Sequence, residues 1–288
     1  QKRVKIFLEA PTDSITEWRG KKSDYGVLNL FVQYLVGHYG ISILSDSLKS
    51  NKIGISSINE ALQKNGFKTD FAQIFTDWTI AVLVNDCSLG AKYCYLNKNL
   101  TSLKVYPEIS FLPSSGKSIL SVANVTKNWT GIWQKFIGGS GTLKLEFKGL
   151  PDLDFKVPYV VEDKNKKISI NFINMDKEQT GQISISNFGA QNTALVMMPS
   201  LQTKLSGFDG AEFTYPFSFT VSVGEQNAQQ DEEIIQKLLA QVESLKKEIA
   251  KVKSQLDAAR AAITAPCKTI ESNLYFGIKD NQEVRCLQ

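Results

Sequence analysis

Apolar residues along this chain change their period twice, and each change marks a different kind of element. From residue 1 to 86 the spacing is helical. Leu28, Phe31, Val32 and Leu35 recur at i, i+3, i+4 and i+7 behind Asp24, which caps the helix, and Gly40 stops it. Ile41 to Leu48 is a short amphipathic helix. Ser56 or Ser57 opens another at Ile58–Leu62, which Asn65-Gly66 ends. Lys68 to Val84 carries Phe71, Ile74, Phe75, Trp78, Ile80, Ala81 and Leu83, a face wide enough to place this helix at the centre of its bundle. From Cys94 onward the period falls to two. Strands are expected at Leu103–Leu112, Ser118–Val125, Thr142–Phe147, Phe155–Val157, Tyr159–Glu162, Ile168–Ile173, Gly181–Ile185, Ala194–Met198 and Phe217–Val223. Short strands set apart by turns predict an antiparallel β-sandwich, with Trp129 and Trp133 as core or edge aromatics.

The second change is the sharper one. Ile235, Leu238, Val242, Leu245, Ile249, Val252, Leu256, Ala259 and Ile263 follow one another at alternating spacings of 3 and 4. That is a heptad seam. With Ile235 at position a, β-branched residues dominate a and leucine opens d, a pattern that favours two parallel strands. Glu248 at g faces Lys253 at the following e between chains. A strict 3.5 period points to self-association or to a helix outside this chain; the alternative is one helix folding back on its own sandwich. The expected fold is therefore α+β and multidomain. A helical subdomain occupies 1–100, an antiparallel β-sandwich 101–224, a coiled-coil helix 225–265 and a short terminal segment 266–288.

Composition narrows the function. The chain has 288 residues, 42% of them hydrophobic, and a net charge of +4, with scattered lysines, so nucleic acid is not an expected partner. No apolar stretch reaches the length of a membrane span. Gln1-Lys2-Arg3 runs straight into an apolar segment without an initiator methionine, which suggests processing or truncation. His38 is the single histidine. It sits at the end of a helix and reads as a C-terminal residue near the last carbonyls, facing solvent. One imidazole does not supply the two or three that a hydrolytic zinc site usually takes. The four cysteines form two local pairs, Cys87 with Cys94 and Cys267 with Cys286, as secreted disulfides do; free thiols and a four-thiolate metal site are the alternatives. Asn99, Asn124 and Asn128 open N-x-S/T triplets, which match the glycosylation pattern.

Two segments resemble known families. Asp24-Tyr25-Gly26, Leu30–Leu35, Tyr39-Gly40, Ile58–Leu62 and Phe71–Trp78, with Phe7–Pro11 and Ser14–Trp18 before them, resemble the helical subdomain of hyicolysin-like and immune-inhibitor-A-like zinc metallopeptidases. This covers residues 1–100 and makes that region a zincin-type subdomain. The resemblance implies a secreted or surface-bound bacterial endopeptidase. It carries no catalytic residue here: the H-E-x-x-H motif is absent, and by the family pattern the zinc ligands lie upstream of Gln1. No cofactor is expected in this chain, and zinc only in that upstream segment. Glu9, Glu17 and Asp77 are expected to face solvent or cap helices. Leu274, Gly277, Val284 and Leu287-Gln288 resemble the opening of a peptidoglycan-binding repeat, which implies attachment to a cell wall. The expected function is the non-catalytic C-terminal portion of an extracellular or cell-surface metallopeptidase, partnered by its catalytic segment. The alternative is an adhesive surface protein that self-associates through the heptads. A carbohydrate-binding sandwich rests on fold analogy alone.

Overall fold

The computed structural model describes residues 2–114, 116–208, 210–224 and 228–263. Helices α1 (Lys2–Glu9), α2 (Lys22–Tyr39), α3 (Ser42–Leu48), α4 (Ile55–Lys64) and α5 (Phe71–Val84) come first. Three single turns of tighter helix follow. Next come β1 (Glu108–Leu112), β2 (Ser118–Thr126), β3 (Gln134–Gly138), β4 (Gly141–Lys148), β5 (Phe155–Lys156) and β6 (Pro158–Asp163). Then come β7 (Ile168–Phe172), β8 (Thr180–Phe188), β9 (Asn192–Met197), β10 (Ser200–Leu201), β11 (Tyr215–Gly224) and the long helix α6 (Ala228–Ile263). The chain divides into two compact units at residue 226.

Helix α5 organises the first unit. Asp70 caps it by accepting from Gln73 N–H at 2.8 Å, and Asn85 ends it in the left-handed conformation. Phe71, Ile74, Phe75, Trp78, Ile80, Ala81, Val82 and Val84 are buried around it, so it must be covered on most of its surface. Phe31 of α2 meets Trp78 edge-on at 5.4 Å. On another side Trp129, from the strand region, packs on Phe71 at 5.0 Å and Phe75 at 5.5 Å. Trp133 is buried alongside and donates from Nε1 to the Thr79 carbonyl at 2.9 Å. Val160, Val196 and Met198 complete this core from the strands. Helix α1 lies close against α2 because Gly26 has no side chain: a Cβ there would stand 2.9 Å from the Phe7 amide nitrogen.

The strands form one nine-stranded sheet in the order β1-β3-β9-β8-β4-β11-β2, with β6 pairing β9 and β7; β5 and β10 make a separate short ladder. The sheet curls into a nearly closed, barrel-like shape around a second core. Leu143, Leu145 and Phe147 of β4 and Phe217, Phe219, Val221 and Val223 of β11 alternate inward on adjacent strands.

Several expectations are corrected. The helical region and the strands are not separate domains, because α5 completes its burial only against Trp129, Trp133 and their neighbours. The sheet is not an antiparallel sandwich: β1 pairs β3 in parallel, and β8 meets β9 in parallel at Phe188 and Asn192. The strand expected from Leu103 begins only at Glu108, after Pro107. Leu103 and Val105 instead bury against the helices, and Val105 N–H donates to the Val82 carbonyl at 2.8 Å. Strand β3 was not foreseen, although it sits between β1 and β9. The long helix is present as a single helix and not as a coiled coil. Removing the shared aromatic at the junction should loosen both layers together. Trp129→Ala is expected to cost about 3–5 kcal/mol and to shift one common urea transition. Separate far-UV transitions for helix and strand would contradict a shared core.

Candidate functional site

Helix α6 presents an extended row of exposed apolar side chains. Helix α6 is 36 residues long. Along it Leu238, Val242, Leu245, Ile249, Val252 and Leu256 are between 46% and 67% exposed. Ile235, Ala259 and Ile263 fall within the same helix, and their side chains lie outside the described residues. The polar positions beside the seam are charged or amide, and Lys246 pairs with Glu243 at 3.1 Å one turn away. Such a surface can do one thing chemically: bury itself against another apolar face.

The first cysteine pair is a disulfide, Cys87–Cys94, with Cα atoms 5.0 Å apart. Its loop is bolted to α2. Tyr34 hydroxyl donates to the Lys92 carbonyl at 2.6 Å, and His38 Nε2 lies 2.9 Å from the Cys94 carbonyl. A carbonyl only accepts, so this nitrogen carries a proton. His38 also packs on the Tyr34 ring at 4.4 Å. It is therefore a half-buried clasp on the disulfide loop and does not simply face solvent. Burial pushes the Tyr34 hydroxyl far above its ordinary range. Cys267 and Cys286 lie outside the described residues.

A buried polar junction holds the strand-region loops to the segment between α1 and α2. Lys127 pairs with Glu17 at 2.5 Å, and Lys204 with Glu212 at 2.7 Å. Glu212 N–H donates to Glu17 Oε1 at 3.0 Å, joining the two pairs. Burial raises the Glu17 carboxyl, but Lys127 and the Glu212 N–H outweigh it and hold it below its ordinary value. Glu17 thus does not face solvent, and neither does Asp77, which is buried on α5 and pairs with Lys92 at 3.1 Å. Glu9 is exposed, as expected. Lys127, Lys204 and Glu212 stand more than 100 residues from Glu17 in sequence, and no local pattern announces them. Among the described residues no three His, Cys, Asp or Glu side chains gather where a metal would sit.

Beside this junction two carboxyl groups meet. Asp24 Oδ2 accepts from the Arg19 and Lys21 amides at 2.8 and 2.9 Å, and Asp13 Oδ1 from the Ser14 amide at 3.1 Å. Their remaining oxygens, Asp13 Oδ2 and Asp24 Oδ1, are buried without a donor, and the charge of Asp24 nearby opposes ionisation of Asp13. Burial and the neighbouring Asp24 raise Asp13. Burial also opposes ionisation of Asp24, but the Arg19 and Lys21 amides hold it below its ordinary value.

No protein-family model and no curated protein matches this chain. Solved structures align with parts of it. One is the periplasmic lysozyme inhibitor PliG of Aeromonas hydrophila, 12% identical over 41% of this chain and 100% of that one, with a TM-score of 0.26. The Yersinia pseudotuberculosis-derived mitogen is 8% identical over 38% and 89%, with a TM-score of 0.27. The pre-peptidase C-terminal domain of a Bacillus anthracis collagenase is 6% identical over 40% and 96%, with a TM-score of 0.24. Similarity at this level carries no functional argument.

The carboxyl pair sets a pH dependence with a definite sign. The raised Asp13 stabilises the fold below its unfolded value near 3.8, and that contribution is lost as pH rises through its folded value. The lowered Asp24 works in the opposite sense: its contribution is present above the unfolded value and fades as pH falls through the folded one. Asp13→Asn removes a buried carboxyl whose ionisation burial and the Asp24 charge oppose. It is expected to stabilise the chain at about pH 7 by on the order of 1 kcal/mol. The gain should shrink as pH falls and Asp13 takes up its own proton. Thermal unfolding between about pH 3 and about pH 7 checks it; an equal effect at both ends contradicts it.

Proposed function

We propose that this chain is a non-catalytic support and assembly portion of an extracytoplasmic protein, joined to a second copy through the apolar seam of α6. The exposed row from Leu238 to Leu256 carries this reading. An isolated helix is marginal in water. Burying one Val, Leu or Ile contributes about 1.5–3 kcal/mol, so six seam residues supply on the order of 10 kcal/mol per chain. Charge selects the orientation. Lys246, Lys253 and Arg260 all occupy e positions and Glu248 a g position. Parallel helices set Glu248 against Lys253 of the other chain, whereas antiparallel ones set the basic e positions against each other.

The Cys87–Cys94 disulfide supports an oxidising compartment, outside the cytoplasm. The resemblance of residues 1–100 to zinc metallopeptidases supports such an enzyme as the parent, with its metal-binding helix upstream. In that setting the first unit braces the catalytic segment and α6 gathers copies.

Sedimentation equilibrium tests assembly directly. The full chain is expected to be a dimer at about 10 μM, in the range such a seam sustains, and fragment 1–226 a monomer. Ile249→Asp, at the middle of the seam, should abolish the dimer and lower the helical signal. A monomeric full chain sinks the assembly reading. For the parent, an H-E-x-x-H within about 100 residues upstream of Gln1 is expected; a full-length protein without one removes the peptidase.

A further inference from the structure

A groove of about 870 Å³ runs between α1, α2 and the segment before β1. Four amide side chains line it: Asn29 and Gln33, one turn apart on α2, and Asn97 and Asn99 from the segment after the disulfide loop. Three of them form a chain. Asn99 N–H donates to Asn97 Oδ1 at 3.0 Å, Asn97 Nδ2 to Gln33 Oε1 at 2.9 Å, and Gln33 Nε2 to Asn29 Oδ1 at 2.9 Å. A backbone N–H only donates, so it fixes which atom of Asn97 is the oxygen, and each later amide is fixed in turn. The chain ends on Asn29 Nδ2. That nitrogen has no partner among the described residues and is open to solvent. Gln33 Nε2 and Asn97 Nδ2 each keep one further N–H.

The groups beside this row narrow what binds. Arg3 and Lys5 of α1 also line the groove, and Arg3 rests against the Tyr25 ring at 4.5 Å. Glu9 lines it too and lies 3.9 Å from Lys5. Two cations against one carboxylate leave the groove net positive. A surplus of N–H groups calls for acceptors on the ligand, and the positive balance favours an anionic oxygen. Tyr106 is 84% exposed and offers a ring face. Asn99 and Ser102 are exposed in the same lining and suit hydroxyls. An aromatic acid would leave those two groups idle, whereas a sugar ring uses them together with Tyr106. We propose that this groove binds an acidic sugar, its carboxylate on the amide row and its ring against Tyr106. The volume falls in the range of small-molecule sites.

Saturation-transfer NMR and calorimetry on the full chain test this at neutral pH, using glucuronic acid, galacturonic acid and N-acetylmuramic acid. Glucose is the neutral control and glucosamine the cationic one. At least one acidic sugar is expected to bind with a Kd of about 1 mM or tighter, and glucose about tenfold more weakly or worse. Asn29→Asp keeps an oxygen for Gln33 but replaces the free N–H groups with a negative charge. It should weaken binding of the acidic sugar by about tenfold or more. Tyr106→Ala alters a side chain that packs on little, so it should weaken binding while thermal unfolding of the free chain stays unchanged. Binding by none of the three acids, equal binding of glucose or glucosamine, or undiminished binding in either variant overturns the proposal. The groove lies in the first unit, so dimerisation through α6 succeeds or fails independently of it.

Discussion

The first unit depends on the burial of most of one helix. Little of helix α5 can be left to water at low cost. Phe31 and its neighbours on α2 protect one face, and Trp129 and Trp133 from the strand region protect another. Helices and strands are consequently obliged to share a core. Other features of the unit follow from where that obligation places backbone. The loop that delivers Trp129 also delivers Lys127 to Glu17. The segment after β9 brings Gln202 beneath Thr76.

Burying most of α5 also buries polar groups on it, and these need partners. Trp78 Nε1 donates to Tyr95 hydroxyl at 2.8 Å, which donates onward to the Leu30 carbonyl at 3.0 Å. Thr79 offers its carbonyl to Trp133, and Asp77 takes Lys92. These bonds add modest net stability, but leaving any of them unmade would be expensive. They fix how the disulfide loop, the helices and the strand-region loops dock. Gln202 belongs to the same network. Its amide nitrogen donates to Thr76 and Ser200, and its oxygen is buried without a donor.

Helix α6 shows the opposite condition. Its polar faces suit water, and its apolar seam has no cover among the described residues. The first unit satisfies its aromatic helix internally, whereas α6 requires something from outside. The assembly reading rests on this difference. An intramolecular demand specifies a fold, and an unmet one of the same kind specifies a partner.

Local periodicity determined a good deal by itself. The spacing of Leu28, Phe31 and Leu35, the wide apolar face of α5, the alternation of Leu143, Leu145 and Phe147, and the heptads of α6 are written in residues close together in the chain. Their elements were legible for that reason. The closeness of Cys87 and Cys94 made their disulfide readable too. What tertiary structure alone decided involves residues far apart. Trp129 against Phe75, Lys127 against Glu17, Gln202 against Thr76 and Val105 against Val82 pair across distances that no repeat encodes. Strand order and the parallel β1–β3 pairing have the same origin, because a strand's sequence states which faces it has and not which neighbour it takes. The sequence determined that α5 would be buried. Only the fold decided that a sheet would do part of the burying, since a wide apolar face records its demand for cover without recording what supplies it.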